Sequence, residues 1–218
     1  IQGEIKQKRR SADKLNAQID KLIAIEIEKA RKRAEEEARR KATAENGRNK
    51  KEGTNSKTPA KGQNIPSSKM GEFKIDSEDR RLSSVFEQNK GKLPIPITGA
   101  YMIVGHYGQY QVDGLRNVRL DNKGVDIRGK QGAQARAIFN GEVSAIFQYN
   151  GLSNVLIRHG SYISVYCNLQ SVLVRKGSKV NTRDVIGQVH TDKEGNTILH
   201  FQLRKETAKL NPEIWLQR

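Results

Sequence analysis

The sequence predicts an α+β chain: a long N-terminal helix with a coiled-coil seam, a linker, and then a mainly antiparallel β domain. Three observations predict it. Residues 1–45 set apolar side chains at heptad spacing in a charged background. Residues 46–76 lose that periodicity and gain Gly, Asn, Ser, Lys and Pro. From Leu93 onward, short apolar runs alternate with Gly, Asn and Asp turns.

In the first segment Ile5, Ala12 and Ile19 fall seven apart, with Leu15 and Leu22 between them. After Leu22 the seam shifts by about four residues onto Ile23, Ile27, Ala30, Ala34 and Ala38, as a stutter produces. Such a helix projects roughly 65 Å. Its seam over residues 5–27 demands an apolar partner, expected to be an upstream antiparallel helix, whereas residues 30–45 are expected to be a solvated extension. Residues 77–91 read as a short helix with its stop: Ser77 as N-cap, Asp79 in the first turn, Leu82, Val85 and Phe86 as an apolar patch, and Gly91 as terminator. That patch either caps the core of the following domain or covers its groove. Residues 92–218 form the β domain, with strand-like runs at 100–104, 142–149, 155–159, 163–169 and 197–203.

The formal net charge is +16, from 40 basic and 24 acidic residues, so anionic partners would be attracted. The charge is shared: residues 92–218 hold 17 basic and 9 acidic residues, half of the excess. No zinc-finger spacing, RNP-like aromatic run or recognition-helix pattern accompanies it, and no nucleic-acid partner is expected. Cys167 is the sole cysteine, which excludes an intramolecular disulfide; between Tyr166 and Asn168 it reads as a packing residue. No stretch approaches the ~20 apolar residues of a membrane span. The chain begins at Ile1 without a Met or a signal-like apolar segment, so any targeting segment is expected outside it.

Two segments carry the chemistry: Asn122-Lys123-Gly124-Val125-Asp126-Ile127 and Ile198-Leu199-His200-Phe201-Gln202-Leu203-Arg204. They resemble the H-x-G-x-D and H-x-H-F-x-x-R signatures of the LytM-type (lysostaphin-like, M23) peptidoglycan endopeptidases. Segments 132–143, 154–169 and 174–187 follow the same family in order, so that the resemblance runs from about Leu93 to Trp215. It implies a LytM/M23 β domain. It also implies that Asn122, Asp126 and His200 stand at the zinc-ligand positions, and that Asn168, in Val165-Tyr166-Cys167-Asn168-Leu169, and Ile198 stand at the acid/base positions. A catalytic zinc needs three good protein ligands, and Asn122 offers a neutral amide. Neither an amide nor an isoleucine exchanges a proton near neutral pH. The family's F-G-x-R segment is also altered, with Gln109 at the Arg position. His106, His159 and His190 map onto no site position; the last two are expected to be surface or structural.

A coiled coil, a linker and a LytM domain with an incomplete site resemble the EnvC-like murein hydrolase activators. That resemblance implies a non-enzymatic, cofactor-free periplasmic protein of cell-wall remodelling and cell division. Its groove would bind an N-acetylmuramoyl-L-alanine amidase, and its coiled coil would engage an ABC-transporter-like division complex of the inner membrane. Asn122, Asp126, Asn168, Ile198 and His200 would line the groove, with Tyr166 and Arg128 as further candidates. Two alternatives stay open: a zinc endopeptidase that borrows a third ligand such as His106, and a catalytically dead module that binds peptidoglycan.

Overall fold

The computed structural model describes residues 2–49, 75–111 and 119–217. Helix α1 (Gln2–Asn49) and helix α2 (Ser77–Gln88) precede twelve strands. These are β1 (Tyr101–Gly105), β2 (Gly108–Gln111), β3 (Arg119–Asn122), β4 (Val125–Gly129), β5 (Gln134–Arg136) and β6 (Gly141–Tyr149), then β7 (Leu152–His159), β8 (Tyr162–Val172), β9 (Lys179–Val180), β10 (Val185–Val189), β11 (Thr197–Lys205) and β12 (Ala208–Leu210). A 3-10 turn, Pro212–Ile214, follows. Most of the expected linker, residues 50–74, lies outside the described residues, while α1 itself runs on to Asn49. No helix among the described residues is long and apolar enough to cross a membrane.

Ten strands form one sheet in the order β1-β4-β11-β8-β7-β6-β9, with β12 beside β11 and β10 bridging β5 and β8. Neighbouring strands pair antiparallel, and β2 with β3 forms a separate two-stranded sheet. Because successive side chains alternate between faces, each central strand supplies two layers. Val125, Ile127, Tyr166, Leu199, Phe201 and Leu203 enter the main core with Ile97, Phe86 and Trp215. Leu156, Ile163, Val165, Cys167 and Ala145 point the other way.

That second face is covered by α1. Ile19 and Ile23 are fully buried against it, with Leu15, Leu22 and Ile27 packed alongside. The partner of the N-terminal seam is therefore the chain's own sheet, where an upstream helix was expected. An amphipathic stripe specifies that its face must be buried, and an apolar sheet surface satisfies it as well as a second helix does. Further along the same helix, Tyr149 donates its hydroxyl to the Ser11 carbonyl at 2.9 Å.

Helix α2 sits elsewhere. Its cap is Asp76 rather than Ser77: the Asp76 carboxylate accepts the Asp79 N–H at 2.7 Å. Its stop is Asn89, two residues before Gly91. Of the expected patch only Phe86 enters the core, stacked on Tyr162 at 4.5 Å and on His159 at 5.1 Å, while Val85 stays exposed and Leu82 half-buried. The buried side is Asp79, Ser83 and Phe86, seated on the β7–β8 turn. Gly160 in that turn has φ +71°, and a Cβ there would lie 2.2 Å from Ser83 Oγ. So α2 caps the core, and the helix lying on the opposite sheet face is α1.

Candidate functional site

Two strand pairings bring the half-motifs together. β4 and β11 are neighbours in register, with Asp126 opposite His200 and Arg128 opposite Ile198. The close approach depends on Gly124, where a Cβ would stand 2.1 Å from the Phe201 carbonyl oxygen. Asn122, at the end of β3, turns back over this pair: its Nδ2 donates to Asp126 Oδ2 at 3.0 Å, and its Oδ1 accepts the Gly124 N–H at 3.1 Å. His200 Nδ1 lies 2.8 Å from Asp126 Oδ1. Both oxygens of Asp126 are thus engaged, one by each of the other two residues at the ligand positions.

The other edge of His200 fixes its tautomer. Gln202 Nε2, which can only donate, lies 2.9 Å from His200 Nε2 and 2.8 Å from Asn16 Oδ1 of α1. Gln202 cannot be turned over, because its Oε1 accepts from Arg204 Nη2 at 2.7 Å and Nε at 3.3 Å. His200 Nε2 therefore accepts, and Nδ1 carries the proton that it gives to Asp126. The wire ends at Asp20 of α1, 2.6 Å from Arg204 Nη1. Arg204 is 1 % exposed, so its charge relies on that carboxylate. Asn16, Asp20, Gln202 and Arg204 were not singled out from sequence. Gln202 and Arg204 lie inside the quoted motif, but nothing in the motif says that a helix more than 180 residues away completes their hydrogen bonds.

The acid/base positions are occupied differently. Asn168 has φ +70°, a left-handed conformation that asparagine tolerates better than most residues. It is the extra residue of a bulge, so Cys167 faces α1 while Leu169 enters the main core. Its Nδ2 lies 3.5 Å from the Ile198 carbonyl oxygen, which brings these two positions together. Ile198 is half-buried and Arg128 exposed, both on the Asp126–His200 face.

Tyr166 does not line this face. It is one residue out of phase with Cys167, fully buried in the main core, and its hydroxyl accepts the Ile138 N–H at 3.0 Å. Burial raises its phenol well above the ordinary range. His106 Nδ1 pairs with Glu213 at 2.9 Å. His159 is wholly buried, between the Asn140 carbonyl and Ser164 Oγ, both at 2.7 Å, and desolvation lowers its pKa to about 4. Cys167 is buried beneath α1, and desolvation pushes its thiol well above its usual range.

The donor set does not fit the zinc that the resemblance implies at these positions. Asp126 and His200 are competent ligands, but the Asn122 group turned toward Asp126 is the NH2, which has no lone pair to give. Among the described residues no group of three or more His, Cys, Asp or Glu side chains is placed to hold a metal ion.

Residues 121–212 match the family described as Peptidase family M23. Among solved structures, a chain of the SpoIIQ–SpoIIIAH pore forming complex aligns with a TM-score of 0.50 and 22% identity over 59% of this chain and 92% of that one. A zinc containing peptidase from Vibrio cholerae gives 0.48 and 20% over 57% and 40%. The catalytic domain of the prophage-encoded M23 protein EnpA from Enterococcus faecalis gives 0.45 and 21% over 56% and 95%. Among curated proteins none matches. The β domain thus has the M23, lysostaphin-like fold.

Proposed function

Taking this β domain as an M23-type domain, we propose that the chain is a non-catalytic activator of peptidoglycan amidases in cell-wall remodelling and cell division. In this reading the face that carries Asn122, Asp126, Arg128, Asn168, Ile198 and His200 recruits an N-acetylmuramoyl-L-alanine amidase, and α1 holds that face shut until it is drawn away. The pulling element is an ABC-transporter-like division complex of the inner membrane acting on α1, and the protein works in the periplasm. The observation that carries the reading is the closed Asn122–Asp126–His200 arrangement. Its amide and carboxylate satisfy each other, and no group at the Asn168 or Ile198 position can move a proton.

The burial of Ile19 and Ile23 supports the gating half of the proposal, because a partner that extends from the named residues onto the adjoining apolar field of the same face must displace them. The test uses purified peptidoglycan, the full chain and a cognate amidase. Release of wall fragments should require the amidase and rise when the chain is added. Fragment release by the chain alone, abolished by a chelator, would favour a zinc endopeptidase. Retention on the wall without any effect on the amidase would favour a peptidoglycan-binding module.

A further inference from the structure

Arg158 of β7 stands where three other elements meet. Its Nε lies 3.2 Å from Glu26 Oε1 of α1, its Nη1 pairs with Asp79 of α2, and its Nη2 lies 3.3 Å from Glu142 Oε2 of β6. Arg33 of α1 approaches the same carboxylates from the other side. Its Nη2 is 3.0 Å from Glu26 Oε1 and 3.5 Å from Asp79 Oδ2, and its Nε is 3.8 Å from Asp76 Oδ2, on the residue that caps α2. Glu26 Oε2 accepts from Ser144 Oγ at 2.8 Å. Farther out, Glu37 of α1 accepts both the N–H and the hydroxyl of Ser77, at 2.8 and 2.7 Å.

These charges are not a solvated surface patch. The side chains of Glu26, Asp79 and Arg158 retain 7, 4 and 11 % of their exposure. Exposed pairs contribute little, but a desolvated pair that loses one member leaves the other uncompensated. Lifting α1 from the sheet would remove Glu26 from Arg158 and Arg33 from Asp79 in one movement. With α2 still seated, Asp79 would keep Arg158 but lose Arg33, and Arg158 would keep Asp79 and Glu142 but lose Glu26, so each buried charge gives up one partner.

We infer that the Glu26–Arg158–Asp79–Arg33 network is a latch by which α2, seated on the core, holds α1 on the sheet. α2 lies off the covered face and still sets how firmly that face is closed. The inference rests on the reading of α1 as a removable cover. A force or partner acting on α2 is transmitted through Asp79 to the other helix.

Cys167 supplies the readout, since it is the only cysteine and lies fully buried beneath α1, in a cluster that contains no residue of α2. In the full chain, Asp79→Asn should raise the rate of thiol labelling at Cys167 roughly tenfold or more. Trp215 fluorescence and the denaturant midpoint should show the β domain still folded. Combined with Glu26→Gln, the two effects should fall short of multiplying, because both break one network. Labelling of Asp79→Asn at the wild-type rate would overturn the latch, as would effects that multiply cleanly. If Asp79→Asn unfolds the domain, Arg33→Gln serves instead: it removes the α1 side chain that reaches Asp79 and Asp76 directly while leaving Arg158 with Asp79, and an unchanged rate overturns the proposal. Ile19→Asp/Ile23→Asp separates the two readings. Slow labelling in that variant means that α1 is not a removable cover, whereas fast labelling there with Asp79→Asn unchanged sinks the latch alone.

Discussion

One amide decides what the Asp126–His200 pair can do. Replacing it by imidazole, Asn122→His, supplies the third good ligand, and we expect the variant to take up stoichiometric zinc by elemental analysis. It should still release no fragments from purified peptidoglycan, because Asn168 and Ile198 leave no proton carrier; hydrolysis by Asn122→His alone would show that catalysis needs neither position. Asn122 and Ile198 could be read from the two motifs in the sequence, and Asn168 from the separate segment Val165–Leu169. Tyr166 could not be placed, because period-two alternation separates it from Cys167 without saying which of them faces Asp126, and only the pairing of Cys167 with His200 decides that. His159 shows a second residue-scale consequence. Its folded pKa, about 4, lies below the ordinary 6.5, so the unfolded chain binds the extra proton between those values. Its contribution is therefore full above pH 6.5 and is lost as pH falls toward 4, on the order of 3 kcal/mol in all. Burial raises the Asp79 carboxyl, and that contribution runs the opposite way, lost as pH rises. Comparing denaturant midpoints of wild type and His159→Gln between pH 7 and 4.5 isolates the histidine, and the variant should show the smaller loss on acidification.

At the scale of elements, α1 was legible as an amphipathic helix, but its partner was not. The stripe through Leu15, Ile19, Leu22, Ile23 and Ile27 would satisfy a coiled coil, and Ile163, Val165 and Cys167 do not announce in sequence which face of their strand is covered. Burying an isoleucine contributes about 1.5–3 kcal/mol, so introducing a carboxylate at both Ile19 and Ile23 should open α1. Labelling of Cys167 should accelerate by roughly a hundredfold or more, since each 1.4 kcal/mol is about a factor of ten. α2 was legible as a helix, and its cap slipped by one residue because Asp76 and Ser77 are both good caps. Its anchor is Phe86, and Phe86→Ala should cost about 3–5 kcal/mol in a denaturant titration of the β domain, far more than Val85→Ala on the exposed side.

The whole molecule is a sheet with two differently used faces. One is a sealed core built on Phe86, Tyr166, Phe201 and Trp215, and the other is an apolar field edged by Asp126, His200, Gln202 and Arg204 and covered by α1. The antiparallel β domain followed from its alternating runs and turns. The covering did not, because it depends on contacts between residues 16–26 and residues 144–204 that no local pattern encodes. In the proposed function, the field under α1 is a binding face and α1 is its cover. The most direct test is the affinity of a cognate N-acetylmuramoyl-L-alanine amidase for the wild-type chain and for Ile19→Asp/Ile23→Asp, read by titration calorimetry. Tighter binding by the opened variant, lost again when Ile198→Asp is added, is the predicted result. Equal affinity for both chains, or no binding by either, would contradict the account.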